Sequence, residues 1–227
     1  MGKNNIKKYV KSRLDKNPVV VEIGAHYGED SVGFLDAMSP SCVHCFEPDP
    51  RNIYIFKKYV QDERISLHEF AVSDTDGDSI DFHLSYTPEI KPKMFRKYHW
   101  IDKEDYINMK INSSGASSLK KGHPLLDKGK TVSVRTVRLD TWAMKNSVEN
   151  IDFLWIDVQG AERGVVNGFG NMSKKIKCVW IEFGEDGYDG YMSRRETILM
   201  FNTLGFILDK KKSSRGKKGN LLFWSKK

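Results

Sequence analysis

Val19-Val20-Val21-Glu22-Ile23-Gly24-Ala25-His26-Tyr27-Gly28 is the stretch from which the rest of the chain is read. A short β-branched run closed by glycine predicts a fully buried parallel strand. Asn17-Pro18 stops whatever precedes it. Residues from about Glu29 to Met38 carry a helical pattern that Ser39-Pro40 ends. Strand, glycine-bearing turn and helix in this order open a βα unit. The glycines let the backbone turn sharply and approach a ligand closely. The helix start offers unpaired N–H groups to an anionic end.

The same alternation runs outward. Upstream, residues 5–16 read as a short amphipathic helix with Ile6, Tyr9, Val10 and Leu14 on one side. Downstream come a strand at Cys42–Phe46 and a helix from about Arg51 to Val60. A third strand follows at Ile65–Val72, and a short alternating one at Ser79–Leu84. Regularity returns with a strand at Thr131–Leu139 and a helix from about Asp140 to Lys145. The apolar strand Phe153–Val158 then leads through Gln159-Gly160 to a helix ending near Phe169. Ile176–Phe183 is the next strand, and Ser193–Leu204 a helix closed by Gly205. Phe206–Asp209 and Leu221–Trp224 flank a basic turn, as in an antiparallel hairpin. Such alternation implies an α/β fold with a mostly parallel sheet covered by helices on both faces.

The 227 residues fit one domain spanning 1–227, with 1–17 as its N-terminal helix. Residues 86–130 break the rhythm with Pro88, Pro92 and Pro124. They also hold a basic-aromatic mixture of Lys91, Lys93, Phe95, Arg96, Lys97, Tyr98, His99 and Trp100. A long irregular segment inside a compact domain is usually functional or disordered, and it reads as an insertion on the substrate side.

No apolar run approaches the roughly 20 residues of a membrane-spanning helix, and Met1 to Lys16 lacks the apolar core of a secretory signal. Three cysteines argue against a disulfide framework. The expected compartment is therefore cytoplasmic. The net charge of +7 is concentrated between Lys210 and Lys227, which carry no acidic residue. Lys210–Lys218 reads first as a solvated turn, and second as a surface for phosphates or for an anionic membrane.

The candidate chemistry lies where strands end. Glu22 precedes the glycine loop and is placed to orient it or to accept a hydrogen bond from an ammonium. Glu47 ends the second strand, about 23 residues after Gly24, where an acidic side chain suits the hydroxyls of a ribose. The Gly24-to-Gly28 spacing is not the dinucleotide pattern, so a cofactor without a pyrophosphate fits better. Asp157 and Glu182, each closing an apolar strand, reach the same rim. A hard cation between them is an alternative, but no metal ligand is assigned. Cys42-x-x-Cys45 has ligand spacing without further ligands, and reads as core packing.

These motifs resemble the FkbM-type methyltransferases. The resemblance is carried by Glu22-Ile-Gly-Ala-His-Tyr-Gly28, Phe46-Glu47-Pro48, Ala71-Val72-Ser73-Asp74 with Gly77, and Gly115-Ala-Ser-Ser-Leu119. It continues through Val137-Arg-Leu-Asp140-Thr-Trp142, Ile151 to Glu162 and Ile181-Glu182. It implies a Rossmann-like, class I methyltransferase sheet of seven strands, with S-adenosyl-L-methionine as cofactor. The implied reaction is methyl transfer to a hydroxyl of a saccharide, glycan or similar small molecule. On that reading Glu22, Gly24, Ala25, His26, Gly28, Ser31, Glu47, Val72 and Asp157 form the cofactor site, with Asp157 and Glu182 as the catalytic candidates. Two positions depart from the pattern, Trp155 standing where the family commonly has Lys and Gln159 where it has Glu. Gln159 cannot serve as a base. A nucleic-acid methyltransferase using the basic hairpin, and a cofactor-binding module without catalysis, stay open as alternatives.

Overall fold

The computed structural model describes residues 3–85, 100–102, 104–105, 114–184 and 187–226, apart from the side chains of residues 78 and 127–129. Its central feature is a seven-stranded sheet. The strands are β1 (Val19–Ile23), β2 (Cys42–Phe46), β3 (Ile65–His68), β7 (Ile151–Ile156), β8 (Ile176–Gly184), β9 (Phe206–Leu208) and β10 (Lys218–Ser225), in the spatial order β3-β2-β1-β7-β8-β10-β9. β1 pairs parallel with both β2 and β7, and β7 with β8; β10 runs antiparallel to β8 and β9. The expected mostly parallel sheet with a terminal antiparallel hairpin is therefore present.

Period-two alternation along the buried strands divides the core into two layers. Val21, Ile23, Leu154, Ile156, Val179 and Ile181 face α4 (Leu139–Lys145), α5 (Glu162–Asn167) and α6 (Arg194–Thr203). Val20, Val43, Phe153, Trp155, Cys178 and Trp180 face α1 (Lys3–Lys11), α2 (Glu29–Met38) and α3 (Pro50–Tyr59). Ile6 and Val10 of α1 are fully buried against this second layer, with Tyr9 and Leu14 packed beside them. The helix is shorter than the pattern suggests. After Lys11 the amides of Arg13 and Leu14 turn back to carbonyls three residues earlier, and Asn17 takes a left-handed φ of 55°.

Two expectations are corrected. Ile65–Val72 is not one strand: β3 extends the main sheet beside β2, whereas β4 (Ala71–Val72) leaves it to pair with Thr136 and Val137. The strand expected from Thr131 begins at Leu126, as β6 (Leu126–Val137). β4, β6 and β5 (Gly77–Ser85) form a separate three-stranded sheet in the order β4-β6-β5. Of the segment 86–130, residues 86–99, 103 and 106–113 lie outside the described residues, including every member of the basic-aromatic mixture except Trp100. Among the described residues, no helix is long and apolar enough to cross a membrane.

Cys45 and Cys178 are buried, Cys42 is partly buried, and all three are free thiols. The basic turn between β9 and β10 is tied to the fold. Asp209 accepts from Tyr9 Oη at 2.6 Å, Arg194 Nε donates to the Ser214 carbonyl at 3.0 Å, and the Lys212 ammonium stands 4.3 Å from the Tyr9 ring centroid.

Candidate active site

β1 is where the chain reverses its direction of travel across the sheet, outward to β2 and β3 and then back to β7. Ligands of open α/β sheets gather outside the strand ends at such a switch point. Gly24, Glu47 and Asp157 follow β1, β2 and β7, and backbone bonds tie the three ends together. The amides of Gly24 and Ala25 both donate to the Phe46 carbonyl, at 3.0 and 2.9 Å, and the Asp157 amide donates to the Ile23 carbonyl at 3.0 Å. Gly24 has φ +91°, and a Cβ there would overlap the Asp157 carbonyl oxygen. Above these ends opens a cavity of about 960 Å³, counting the space in its mouth.

Glu47 is buried against this cavity. Its Oε2 accepts from the His26 amide at 2.7 Å, and its Oε1 from the Asp49 amide at 2.8 Å and Asn52 Nδ2 at 3.2 Å. Burial, and then the neighbouring Asp49 carboxylate, push the Glu47 carboxyl up to about 7 against those hydrogen bonds. His26 adopts a φ of +53°. Its ring bridges two elements, with Nδ1 at 3.0 Å from Glu29 Oε1 and Nε2 at 3.3 Å from Ser114 Oγ. Tyr27 Oη meets the same Ser114 hydroxyl at 2.7 Å. The glycine loop is thus held from above by the 3₁₀ turn Ser114–Ala116.

Of the nine expected cofactor residues, Gly24, Ala25, His26, Glu47, Val72 and Asp157 line the cavity. Glu22, Gly28 and Ser31 stand behind the loop and shape it. Glu22 points into the α1/α2 layer, where its Oε2 accepts from Ser31 Oγ at 2.5 Å. Burial raises the Glu22 carboxyl to about 8. Asp30 adds to the rise, while Ser31, Lys7 and Lys3 oppose it. Gly28, at φ +90°, begins α2 where a Cβ would press on Phe56 and Val60.

Asp157 and Glu182 are joined by Gln159. The Gln159 Nε2 donates to Asp157 Oδ1 at 2.6 Å and to Glu182 Oε2 at 3.0 Å, while Gln159 O accepts from Ser118 Oγ at 2.6 Å. Asp157 lines the main cavity. Glu182 lines a smaller adjoining cleft with Gln159 and Tyr188. One carboxamide therefore uses both of its hydrogens to hold two carboxyl groups, one in the cavity and one in the cleft beside it, which corrects the expectation that both reach the same rim. The carboxylates can receive a proton; the amide orients them. Among the described residues, no three His, Cys, Asp or Glu side chains gather in a way that would hold a metal ion.

Several cavity residues escape a reading of the sequence. Asn52 holds Glu47, but nothing in an isolated helical Asn announces this. Ser114 and Ser117 line the cavity from the irregular segment, where only the quoted Gly115-to-Leu119 motif gave a signal. Lys3 reaches the cavity from α1, far from any motif.

A model of the methyltransferase FkbM domain matches residues 22–208. The chain is also 28% identical to the 2-O-methyltransferase NoeI of Sinorhizobium fredii over 224 residues, covering 96% of this chain and 84% of that protein. Among solved structures it is similar to a conserved hypothetical protein of Streptococcus pyogenes, with a TM-score of 0.50 at 8% identity, covering 99% of this chain and 96% of that one. It is also similar to the precorrin-6y C5,15-methyltransferase of Geobacter metallireducens, with a TM-score of 0.47 at 9% identity, covering 98% and 87%. Since the matched stretch takes in the end of β1, all of β2, β7 and β8, and the loops that build the cavity, the chain belongs to the FkbM family of S-adenosylmethionine-dependent methyltransferases.

Proposed function

We propose that this enzyme methylates a hydroxyl group of a saccharide, glycan or similar small molecule. The observation that carries this reading is the likeness to a 2-O-methyltransferase over nearly the whole chain. Asp157 in the cavity wall, with Glu182 in the adjoining cleft, agrees with it, because a neutral hydroxyl needs a base at or near attack.

The charge of the cavity suits the methyl donor. Its walls carry Glu29, Asp30, Glu47 and Asp157 against Lys3, the one Lys or Arg that lines it among the described residues. Acidic walls favour a ligand bearing a sulfonium and an ammonium, and disfavour a pyrophosphate. Gly24, whose missing Cβ lets the end of β1 close onto the Asp157 carbonyl, sets the floor on which the ligand would rest. S-adenosylmethionine, when bound, supplies an electrophilic methyl group. The remaining work falls to the protein's own groups. Glu47 receives the ribose hydroxyls, Gly24 and Ala25 admit the donor, and Asp157 with Glu182 faces the acceptor. Asp157 would take the proton that the acceptor hydroxyl must lose. Gln159, unable to take a proton, keeps the two carboxylates in place. Much of the rate comes from this positioning.

Calorimetric titration with S-adenosylhomocysteine, wild type against Glu47→Ala, tests the cofactor half of the reading. Micromolar binding that is lost in the variant is the expected result. Transfer of a labelled methyl group to a panel of oligosaccharides, with RNA as the competing acceptor, tests the other half. Labelling of RNA alone would overturn the saccharide reading, and no binding by folded protein would overturn the cofactor reading.

A further inference from the structure

An amino-acid carboxylate entering the cavity needs a positive partner, and the start of α2 supplies a weak one. Its first turn already carries Glu29 and Asp30, which offset the positive end of the helix dipole. The Glu29 carboxylate also takes up the Tyr27 amide at 3.2 Å. A second anion placed there would meet two carboxylates beside the N–H groups.

The positive charge comes instead from α1. Lys7 is fully buried, with its ammonium 2.9 Å from Asp30 Oδ1 and 2.9 Å from the Asp30 carbonyl. It thereby neutralises Asp30 from below. One turn earlier, Lys3 keeps its side chain 54% exposed, with Nζ at 2.5 Å from Asp30 Oδ2 and 3.7 Å from Asp157 Oδ2. Burial tends to lower the Lys3 ammonium, but Asp157 and Asp30 outweigh it and hold the group firmly protonated. At 3.7 Å the contact with Asp157 is an ion pair without a good hydrogen bond. With three donors on the ammonium and one well used, Lys3 has hydrogens to give. The other oxygen of Asp157 is engaged by Gln159, so Asp157 turns one oxygen to Lys3 and the other to Gln159.

We infer that Lys3 is a cofactor-positioning residue, binding the carboxylate of the methyl donor's amino-acid end while Asp157 faces its ammonium. This rests on the cofactor reading above. It adds a residue outside the stretch matched by the family, residues 22–208. In this arrangement a zwitterion completes an alternating ring with Asp157 and Lys3. The N-terminal helix then contributes to ligand recognition as well as to the core.

The test compares two ligands by calorimetry. S-adenosylhomocysteine carries the amino-acid end; 5′-methylthioadenosine shares the nucleoside and thioether without it. Lys3→Ala should weaken S-adenosylhomocysteine about tenfold or more and leave 5′-methylthioadenosine within about twofold, and Lys3→Arg should restore most of the loss. Equal weakening of both ligands would reduce Lys3 to a packing role, and no weakening of either would remove it from the site; each overturns the proposal. If wild type binds neither ligand, the cofactor reading itself has failed, a result separable from the other two. Thermal unfolding of each variant checks that α1 remains docked.

Discussion

Gly24 and Asp157 are in backbone contact across the ends of two adjacent parallel strands, so closely that a Cβ at Gly24 would overlap the Asp157 carbonyl oxygen. The contact fixes the floor of the cavity, and the φ of +91° at Gly24 is itself unfavourable to any other residue. Gly24→Ala should therefore push β1 and β7 apart at their ends. We expect a loss of about 3 kcal/mol, from strain at a special φ combined with overpacking. That corresponds to a fall in Tm of roughly 6–12 °C for a chain of this size. S-adenosylhomocysteine binding should fall by a larger factor than stability alone explains, as titration well below the variant's Tm would show.

With Glu47 as the proposed ribose acceptor, cofactor affinity should depend on pH. Its carboxyl sits near 7 in the free protein, because burial and Asp49 disfavour the charge. Two ribose hydroxyls donating to it would favour the anion. Binding then requires loss of a proton below about pH 7 and none well above it. Affinity for S-adenosylhomocysteine should rise about tenfold from pH 6 to pH 8 and then level off. Titrations in buffers of different ionisation heat should show proton release near pH 6.5. A flat profile without proton release would separate Glu47 from the ribose.

The parts of this molecule that follow from period and turn chemistry were legible in the sequence. Val19–Ile23, Glu29–Met38 and Cys42–Phe46 could be bounded closely because apolar runs and breakers coincide there. Ile65–Val72 could not be divided. Both halves are apolar enough for a strand, and only the pairing partner, β2 for one and β6 for the other, separates them. The strand-end carboxylates were legible for the same reason as the strands. The Gln159 bridge and the reach of Lys3 depend on rotamers and on the docking of α1, and leave no periodic trace.

Gln159 stands where a third carboxylate would crowd Asp157 and Glu182. With its amide donating to Asp157 and Glu182, it lowers the repulsion between them. Gln159→Glu removes both donors and adds a negative charge. We expect kcat to fall, and to fall further than for Gln159→Met, which removes the donors without adding charge; single-turnover methyl transfer reads the difference.

Asp157→Asn keeps the side chain's shape and its acceptor oxygen for Gln159, and removes the capacity to take a proton. Since Asp157 lines the main cavity and Glu182 the adjoining cleft, the two should differ. We expect kcat to fall on the order of 10²-fold or more for Asp157→Asn and on the order of tenfold for Glu182→Gln, read as single-turnover methyl transfer to an accepted saccharide. A greater loss for Glu182→Gln would reverse the assignment of the base.

Glu22 offers a prediction about stability alone. Burial in the α1/α2 layer raises its carboxyl to about 8, so the folded chain holds a proton that the unfolded chain, with an ordinary carboxyl, releases near 4.5. A raised folded-state value gives stability that is complete below about 4.5 and is lost as pH climbs through 8. Glu22→Gln fixes the neutral form in nearly the same volume, and Ser31 can keep its hydrogen bond to the amide. Wild type and variant should thus be similar at pH 4.5 and diverge as pH rises, by roughly 2–3 kcal/mol between pH 5 and 7. Glu47 and Glu162 are raised in the same direction, to about 7 each, so wild type alone cannot isolate Glu22. The difference between the two denaturant-unfolding curves across pH can, because those groups are common to both proteins. Parallel curves would mean that Lys7 and Lys3 keep Glu22 ionised in the fold, and that the layer beneath the glycine loop is an ion-pair network in place of a protonated carboxyl bonded to Ser31.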